Sequence, residues 1–339
     1  MATVHHRTVS VDGLDVFYRE AGPVDAPVLL LLHGYPTSSH MFRHLIPVLA
    51  DRHRVIAPDH IGFGRSSAPS VDDFEYTFEA LAQVTGRFLA TIGVTQYTIY
   101  VQDYGAPIGW RLALADPAAV VGVISQNGNA YEEGFVPDFW NPIWTDGAER
   151  TVETRDALRP ALGRDAVEWQ YTHGVPDPTT VDPDAWEHDL ALLAREGQDD
   201  VQLALFRDYV TNRDLYPEVH AWLRASQVPV LAIWGRNDEI FAAAGATAFT
   251  RDAPHARVEL IDGGHFLLES DLDRVAGTIT SWLQNECPER DRRREPGTPV
   301  LSRAAWWPDV ASCGHQGVLV ACRSDDEARR VLSVTRVCP

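Results

Sequence analysis

The sequence predicts an α/β protein built on a buried, mostly parallel sheet flanked by helices, and three features carry that prediction. Short runs rich in Val, Ile and Leu alternate with longer segments of helical period, as expected when crossover helices cover both faces of a sheet. The alternation breaks once, between about Ala130 and Ala225, where the chain turns helical, acidic and rich in Trp and Pro, and it resumes at Val228. Small and polar residues gather where the apolar runs end, at the edge where open α/β sheets carry their sites.

The runs read as strands are Pro27 to His33, Arg54 to Pro58, Tyr97 to Gln102, Val120 to Gln126, Val228 to Trp234 and Arg257 to Ile261. Helices are expected over Phe74 to Ile92, whose apolar residues recur on a helical period, and over Ala106 to Ala115. The domain plan is a core over 1–129, a helical cap inserted over 130–225, the core resumed over 226–285, and a tail over 286–339. Composition shifts at the tail through Cys287-Pro288-Glu289-Arg290-Asp291-Arg292-Arg293-Arg294. An appended, poorly ordered segment is expected there. The Cys313-Gly314-His315 and Cys322 spacing fits no standard zinc site, so no metal is expected.

The chain has 29 Arg and Lys against 48 Asp and Glu, a formal charge of -19, and every one of those basic residues is Arg. Such a field opposes nucleic acid and anionic lipid, which demand positive charge. It favours a neutral or cationic partner, and a small apolar or neutral organic substrate is expected. The longest early apolar run, Val28 to Leu32, is too short to span a bilayer, and no signal-peptide stretch precedes it, so a cytoplasmic location is expected. All of the cysteines, Cys287, Cys313, Cys322 and Cys338, fall late in the chain, which leaves the body without thiol chemistry.

One strand runs into Tyr100-Val101-Gln102-Asp103-Tyr104-Gly105-Ala106, with a helix after it. A nucleophile elbow needs a strand, a sharp turn exposing one side chain, small neighbours and then a helix. Gly105 and Ala106 are the small neighbours, and Val101 stands where such elbows usually have Gly. Taken alone, Asp103 could equally cap the next helix. Chain order adds weight: Asp238 ends a later strand in Trp234-Gly235-Arg236-Asn237-Asp238, and His265 follows the last in Asp262-Gly263-Gly264-His265. Nucleophile, acid and His in that order is the arrangement of α/β hydrolases.

Two upstream loops make the likeness specific. His33-Gly34-Tyr35-Pro36 and Gly62-Phe63-Gly64-Arg65-Ser66 resemble the His-Gly-x-Pro and Gly-x-Gly-x-Ser loops of the epoxide hydrolase and haloalkane dehalogenase branch of the α/β hydrolases. The resemblance covers roughly residues 10–285 and includes the insertion as the family's cap. It implies the α/β-hydrolase fold, no cofactor, an Asp103 nucleophile with His265 and Asp238 as its water-activating pair, and an oxyanion hole from the backbone N–H groups of Tyr35 and Tyr104. His33 is read as structural.

A carboxylate nucleophile is already ionised near neutral pH and can displace a leaving group at saturated carbon, giving an alkyl ester of Asp103 that water must hydrolyse. The resemblance then divides by leaving group. An epoxide oxygen needs a donor across from Asp103, and the family uses two cap tyrosines; Tyr171 and Tyr209 are the candidates, with Tyr131 and Tyr216 in reserve. A halide needs N–H donors that the family draws from a Trp after the nucleophile and an Asn or Trp elsewhere. Tyr104 and Tyr35 occupy the first two positions here, although Trp140, Trp144, Trp169 and Trp186 lie in the insertion. The Arg that fluoroacetate-type dehalogenases carry after the nucleophile is absent. Epoxide hydrolysis is therefore the leading expectation, haloalkane dehalogenation the alternative, and a non-catalytic ligand receptor of the same fold the remote one.

Overall fold

The computed structural model describes residues 2–287, so the tail expected from 286 onward lies, apart from its first two residues, outside the described residues. Eight strands form one sheet in the order β1-β2-β4-β3-β5-β6-β7-β8. They are β1 His5–Val11, β2 Leu14–Ala21, β3 Val28–Leu32, β4 Arg54–Pro58, β5 Tyr97–Gln102, β6 Val120–Gln126, β7 Val230–Gly235 and β8 Arg257–Ile261. From β4 to β8 every neighbouring pair is parallel, whereas β1 with β2 and β2 with β4 are antiparallel. All six runs read as strands from the sequence are strands, within two residues at their ends.

The hairpin β1–β2 went unread because a search for continuous apolar runs passes over β1, whose residues are mostly exposed. Its signal was the turn. Asp12 and Gly13 both take positive φ, 50° and 84°, as an Asp-Gly pair between two alternating runs is suited to do.

Crossover helices bury the sheet. The helix Phe78–Thr91 hides Phe78, Leu81, Ala82, Val84, Thr85, Phe88 and Leu89, one face of a 3.6-residue repeat, and Thr77 caps it by accepting from the Ala80 N–H. That cap is worth about 1 kcal/mol. Every residue of β5 and β7 is buried, as expected of inner strands of a parallel sheet covered on both faces.

Between β6 and β7 the chain is helical, with Pro137–Glu149, Arg164–Thr172, Pro183–Leu193, Gln198–Asp208 and Val210–Ser226 as its longer helices. Particular hydrogen bonds tie this insertion to the loops at the carboxyl ends of the strands: Trp140 Nε1 donates to the Ile240 carbonyl at 2.8 Å and Asn237 Nδ2 to the Gly174 carbonyl at 2.9 Å. No helix among the described residues is long and apolar enough to cross a membrane.

Candidate active site

At the end of β5 the backbone turns sharply, and Asp103 takes φ 48°, a left-handed conformation uncommon for a residue with a side chain. Such a conformation costs on the order of 1–3 kcal/mol and persists only where its surroundings hold it. Here they do. A Cβ on Gly105 would lie 2.1 Å from the Leu32 carbonyl oxygen and one on Gly109 2.6 Å from Val101, so the helix Gly105–Ala115 seats against the sheet only with glycine at these positions.

The turn delivers the Asp103 carboxylate to two backbone donors. Its Oδ1 accepts from the N–H of Tyr35 at 2.8 Å and from the N–H of Tyr104 at 2.6 Å. Gly34 allows that approach, since a Cβ there would fall 2.5 Å from the same oxygen. With Oδ1 so engaged, Oδ2 is the oxygen turned toward His265, 3.9 Å from Nε2.

His265 sits in the loop after β8 and is buried. Its Nδ1 lies 2.8 Å from Oδ2 of Asp238, which follows β7. Asp238 is itself fully engaged: Oδ1 accepts from the N–H groups of Ile240 and Phe241 at 2.7 and 3.2 Å, and Oδ2 accepts from Asn127 Nδ2 at 2.6 Å. The three residues expected from chain order thus converge at one place, from three strand ends.

Charge in this buried space follows from solvation and neighbours. Burial raises the Asp103 pKa above its ordinary value, and the nearby His265 and the two N–H donors only partly oppose that. For His265 burial pulls downward, but the charge and hydrogen bond of Asp238, with the charge of Asp103, carry the net shift upward. Asp103 and His265 therefore stabilise each other's charged forms.

The two tyrosines expected to face Asp103 are placed differently. Tyr209 is fully buried among aromatic rings, 4.9 to 5.8 Å between centroids in the chain Phe78, Tyr104, Tyr209, and its hydroxyl makes no hydrogen bond among the described residues. Burial, then Tyr216, then the Asp103 charge push its pKa well up. The Tyr104 hydroxyl is likewise buried and without a hydrogen bond among the described residues, and feels Asp103 in the same sense. Tyr171 instead donates its hydroxyl to Asp189 and stacks flat on Phe266, 4.0 Å between ring centroids at 1°. After burial, the charges that bear on it are those of Asp189 and Glu269. The structure does not bring Tyr171 and Tyr209 together as a pair.

The Tyr131 and Tyr216 hydroxyls are both buried, near Asp252 and Asn129 respectively, with Tyr131 stacked on His220 and Tyr216 on Phe135. His33 is engaged structurally, its Nε2 accepting from the His60 N–H at 3.1 Å.

Sequence reasoning missed three polar residues here. Asn127 holds Asp238, Gln126 Nε2 donates to the His265 carbonyl at 3.2 Å, and Gln102 Nε2 lies 2.8 Å from His265 Nε2. Their signal was available: all three sit at the carboxyl ends of strands with otherwise apolar interiors, where buried amides need a reason. Among the described residues no group of three His, Cys, Asp or Glu side chains could hold a metal ion.

Comparison with known proteins agrees with this architecture. Residues 27–272 match the model of the alpha/beta hydrolase fold family. The chain belongs to that family. It is 44% identical over 280 residues to an uncharacterized hydrolase, YNR064C, of Saccharomyces cerevisiae, covering 81% of this chain and 96% of that one. A haloalkane dehalogenase of Mycolicibacterium paratuberculosis is 30% identical over 290 residues, covering 80% and 88%. The crystal structure of haloalkane dehalogenase DbeA from Bradyrhizobium elkani superposes with a TM-score of 0.69 at 26% identity, covering 84% of this chain and 98% of that one. This chain is thus a hydrolase of the α/β-hydrolase superfamily, in the branch that holds dehalogenases and epoxide hydrolases.

Proposed function

We propose that the protein is an epoxide hydrolase working through an ester of Asp103, with the insertion as a cap over the site. The observation that carries this reading is the division of labour at Asp103: Oδ1 is tied to two N–H groups while Oδ2 stands free of them beside His265. A serine esterase has no use for a carboxylate held in that way.

In the first step Oδ2 attacks a ring carbon, the ring C–O bond breaks, and its electron pair goes to the departing oxygen. Tyr209 donates to that oxygen, with the Tyr104 hydroxyl as a second donor; both are buried and serve no acceptor among the described residues, whereas the Tyr171 hydroxyl is committed to Asp189. In the second step His265, oriented by Asp238, takes a proton from water, and the oxygen of that water adds to the Asp103 carboxyl carbon. Negative charge then collects on Oδ1, where the Tyr35 and Tyr104 N–H groups meet it, and the ester opens to release the diol. The aromatic surroundings of Tyr209 favour a small apolar substrate over a charged one.

A second reading, haloalkane dehalogenation, draws support from the 30% identical relative named for that activity. A panel of terminal epoxides and bromoalkanes separates the two. Diol formation from epoxides, with little halide release, is expected. Halide release without diol formation would overturn the first reading in favour of the second.

A further inference from the structure

The imidazole nitrogen that must take a proton from water is already in contact with another group. His265 Nδ1 is directed at Asp238, so the neutral ring, the form that can act as a base, carries its proton there and presents a lone pair at Nε2. At 2.8 Å from that lone pair stands Gln102 Nε2, the side-chain amide of the residue just before Asp103. The other end of the same amide, Oε1, is buried and accepts no hydrogen bond among the described residues. Both atoms belong to a side chain with no measurable exposure, on a strand that is buried throughout.

A side-chain amide carries a donor and an acceptor on two atoms of the same reach, which a half-turn exchanges. We propose that Gln102 is a positioning residue for the hydrolytic half-reaction: its N–H holds the neutral His265 ring in line until the attacking water displaces it from the Nε2 lone pair, and its Oε1, turned to the ring, accepts from Nε2–H once the ring has taken the proton. The inference rests on the reading of His265 as the base. It solves a problem that the ester creates. Before alkylation the charges facing His265 are Asp238 and Asp103. Once Asp103 is a neutral ester, the imidazolium keeps Asp238 on Nδ1, and on Nε2 the acceptor within reach is the turned amide of Gln102. When the ester opens, that proton passes to the departing alkoxide and the amide returns to its first orientation.

Two variants test this on the full chain. Gln102→Leu keeps the volume and loses both functions; Gln102→Glu keeps an acceptor and loses the donor. In ¹⁵N-histidine NMR of the resting enzyme, the neutral Nε2 resonance of His265 is expected to carry the signature of an accepted hydrogen bond, lost in Gln102→Leu. Gln102→Glu should raise the pH at which His265 titrates by about one unit or more, as an added neighbouring anion does. With an epoxide in single turnover, Gln102→Leu should slow decay of the alkyl-enzyme about tenfold or more while formation stays within about threefold. Gln102→Glu should slow decay near pH 7 and recover as pH rises, a response that general damage to the core would not produce. An unmoved Nε2 resonance, or unchanged decay in both variants, would overturn the inference. If Gln102→Leu does not fold, the Gln102→Glu titration and decay profile decide alone. If wild type forms no adduct, the reading of Asp103 fails, and the NMR arm still decides whether Gln102 holds His265.

Discussion

Nε2 of His265 lies 3.9 Å from Oδ2 of Asp103, near enough for each to stabilise the other's charge and too far for a hydrogen bond. On the proposed mechanism Oδ2 is thereby left available for attack, and His265 acts only afterwards, on the water that opens the ester. His265→Gln should therefore form the alkyl-enzyme and stall. Intact-protein mass spectrometry after mixing with an epoxide should show one adduct per chain. Steady turnover by this variant, with no adduct, would separate His265 from the second step.

The mutual stabilisation also fixes the sign of the pH dependence. In the free enzyme the His265 pKa is raised above 6.5, burial opposing and Asp238 and Asp103 prevailing. Esterification removes the Asp103 charge, so in the intermediate the pKa falls. Because the neutral ring is the base, decay of the adduct rises with pH through that lower pKa. Its midpoint should lie below the midpoint of His265 measured by NMR in the free enzyme. Equal or inverted midpoints would mean that the Asp103 charge does not reach His265.

Tyr209 and Tyr171 offer a paired comparison. Tyr209→Phe removes a donor that serves no acceptor among the described residues, and ring opening should slow on the order of 10²- to 10³-fold, the range for loss of one oxyanion donor. Tyr171→Phe should leave the chemical rate within a few-fold and instead destabilise the fold by about 1–3 kcal/mol, because Asp189 loses a buried partner. Rapid-quench rates and urea melts distinguish the two. The opposite pattern would return Tyr171 to the site.

Asp189 makes a separate prediction on stability. Burial pushes its carboxyl up to about 8 from an ordinary 3.8, so the folded state holds a proton that the unfolded chain releases above roughly pH 4. Stability from this group is complete below the unfolded pKa and is lost as pH climbs toward 8. Wild type should lose more unfolding free energy between pH 5 and pH 8 than Asp189→Asn, which has no proton to release. Parallel urea melts at the two pH values check it.

Gly34→Ala tests the cradle itself. The added methyl carbon would sit 2.3 Å from Asp103 Cβ and 2.5 Å from Oδ1, so the carboxylate must leave its two N–H donors. Loss of about 10²-fold or more in turnover is expected, with far-ultraviolet circular dichroism unchanged. Retained activity would show that Tyr35 and Tyr104 do not hold the reacting group.

Why the sequence revealed some of this and hid the rest has a physical explanation. The buried strands β3 to β7 leave short, mostly apolar runs that could be read off, and β8, though partly exposed at the sheet edge, keeps enough apolar residues to be read with them; Asp103, Asp238 and His265, at or just after strand ends, meet in one place. The exposed hairpin around Asp12 and Gly13 left no apolar run and was passed over. Side-chain direction in the insertion was less accessible still. Tyr171 and Tyr209 look alike as letters, and only packing shows one against Phe266 and Asp189 and the other among Phe78, Tyr104 and Trp140. For Gln102 the position at a strand's carboxyl end was a signal, but its partner was not legible, because the contact is with a residue 163 positions away.

The central claim is that Asp103 becomes esterified, and its oxygen atoms record whether that happens. With enzyme in excess over an epoxide, a single turnover in ¹⁸O water followed by peptide mass spectrometry should place one heavy oxygen in the peptide containing Asp103, and the first-turnover diol should carry none. Label in the diol with an unlabelled Asp103 peptide would mean that water attacks the substrate directly, and would contradict the account.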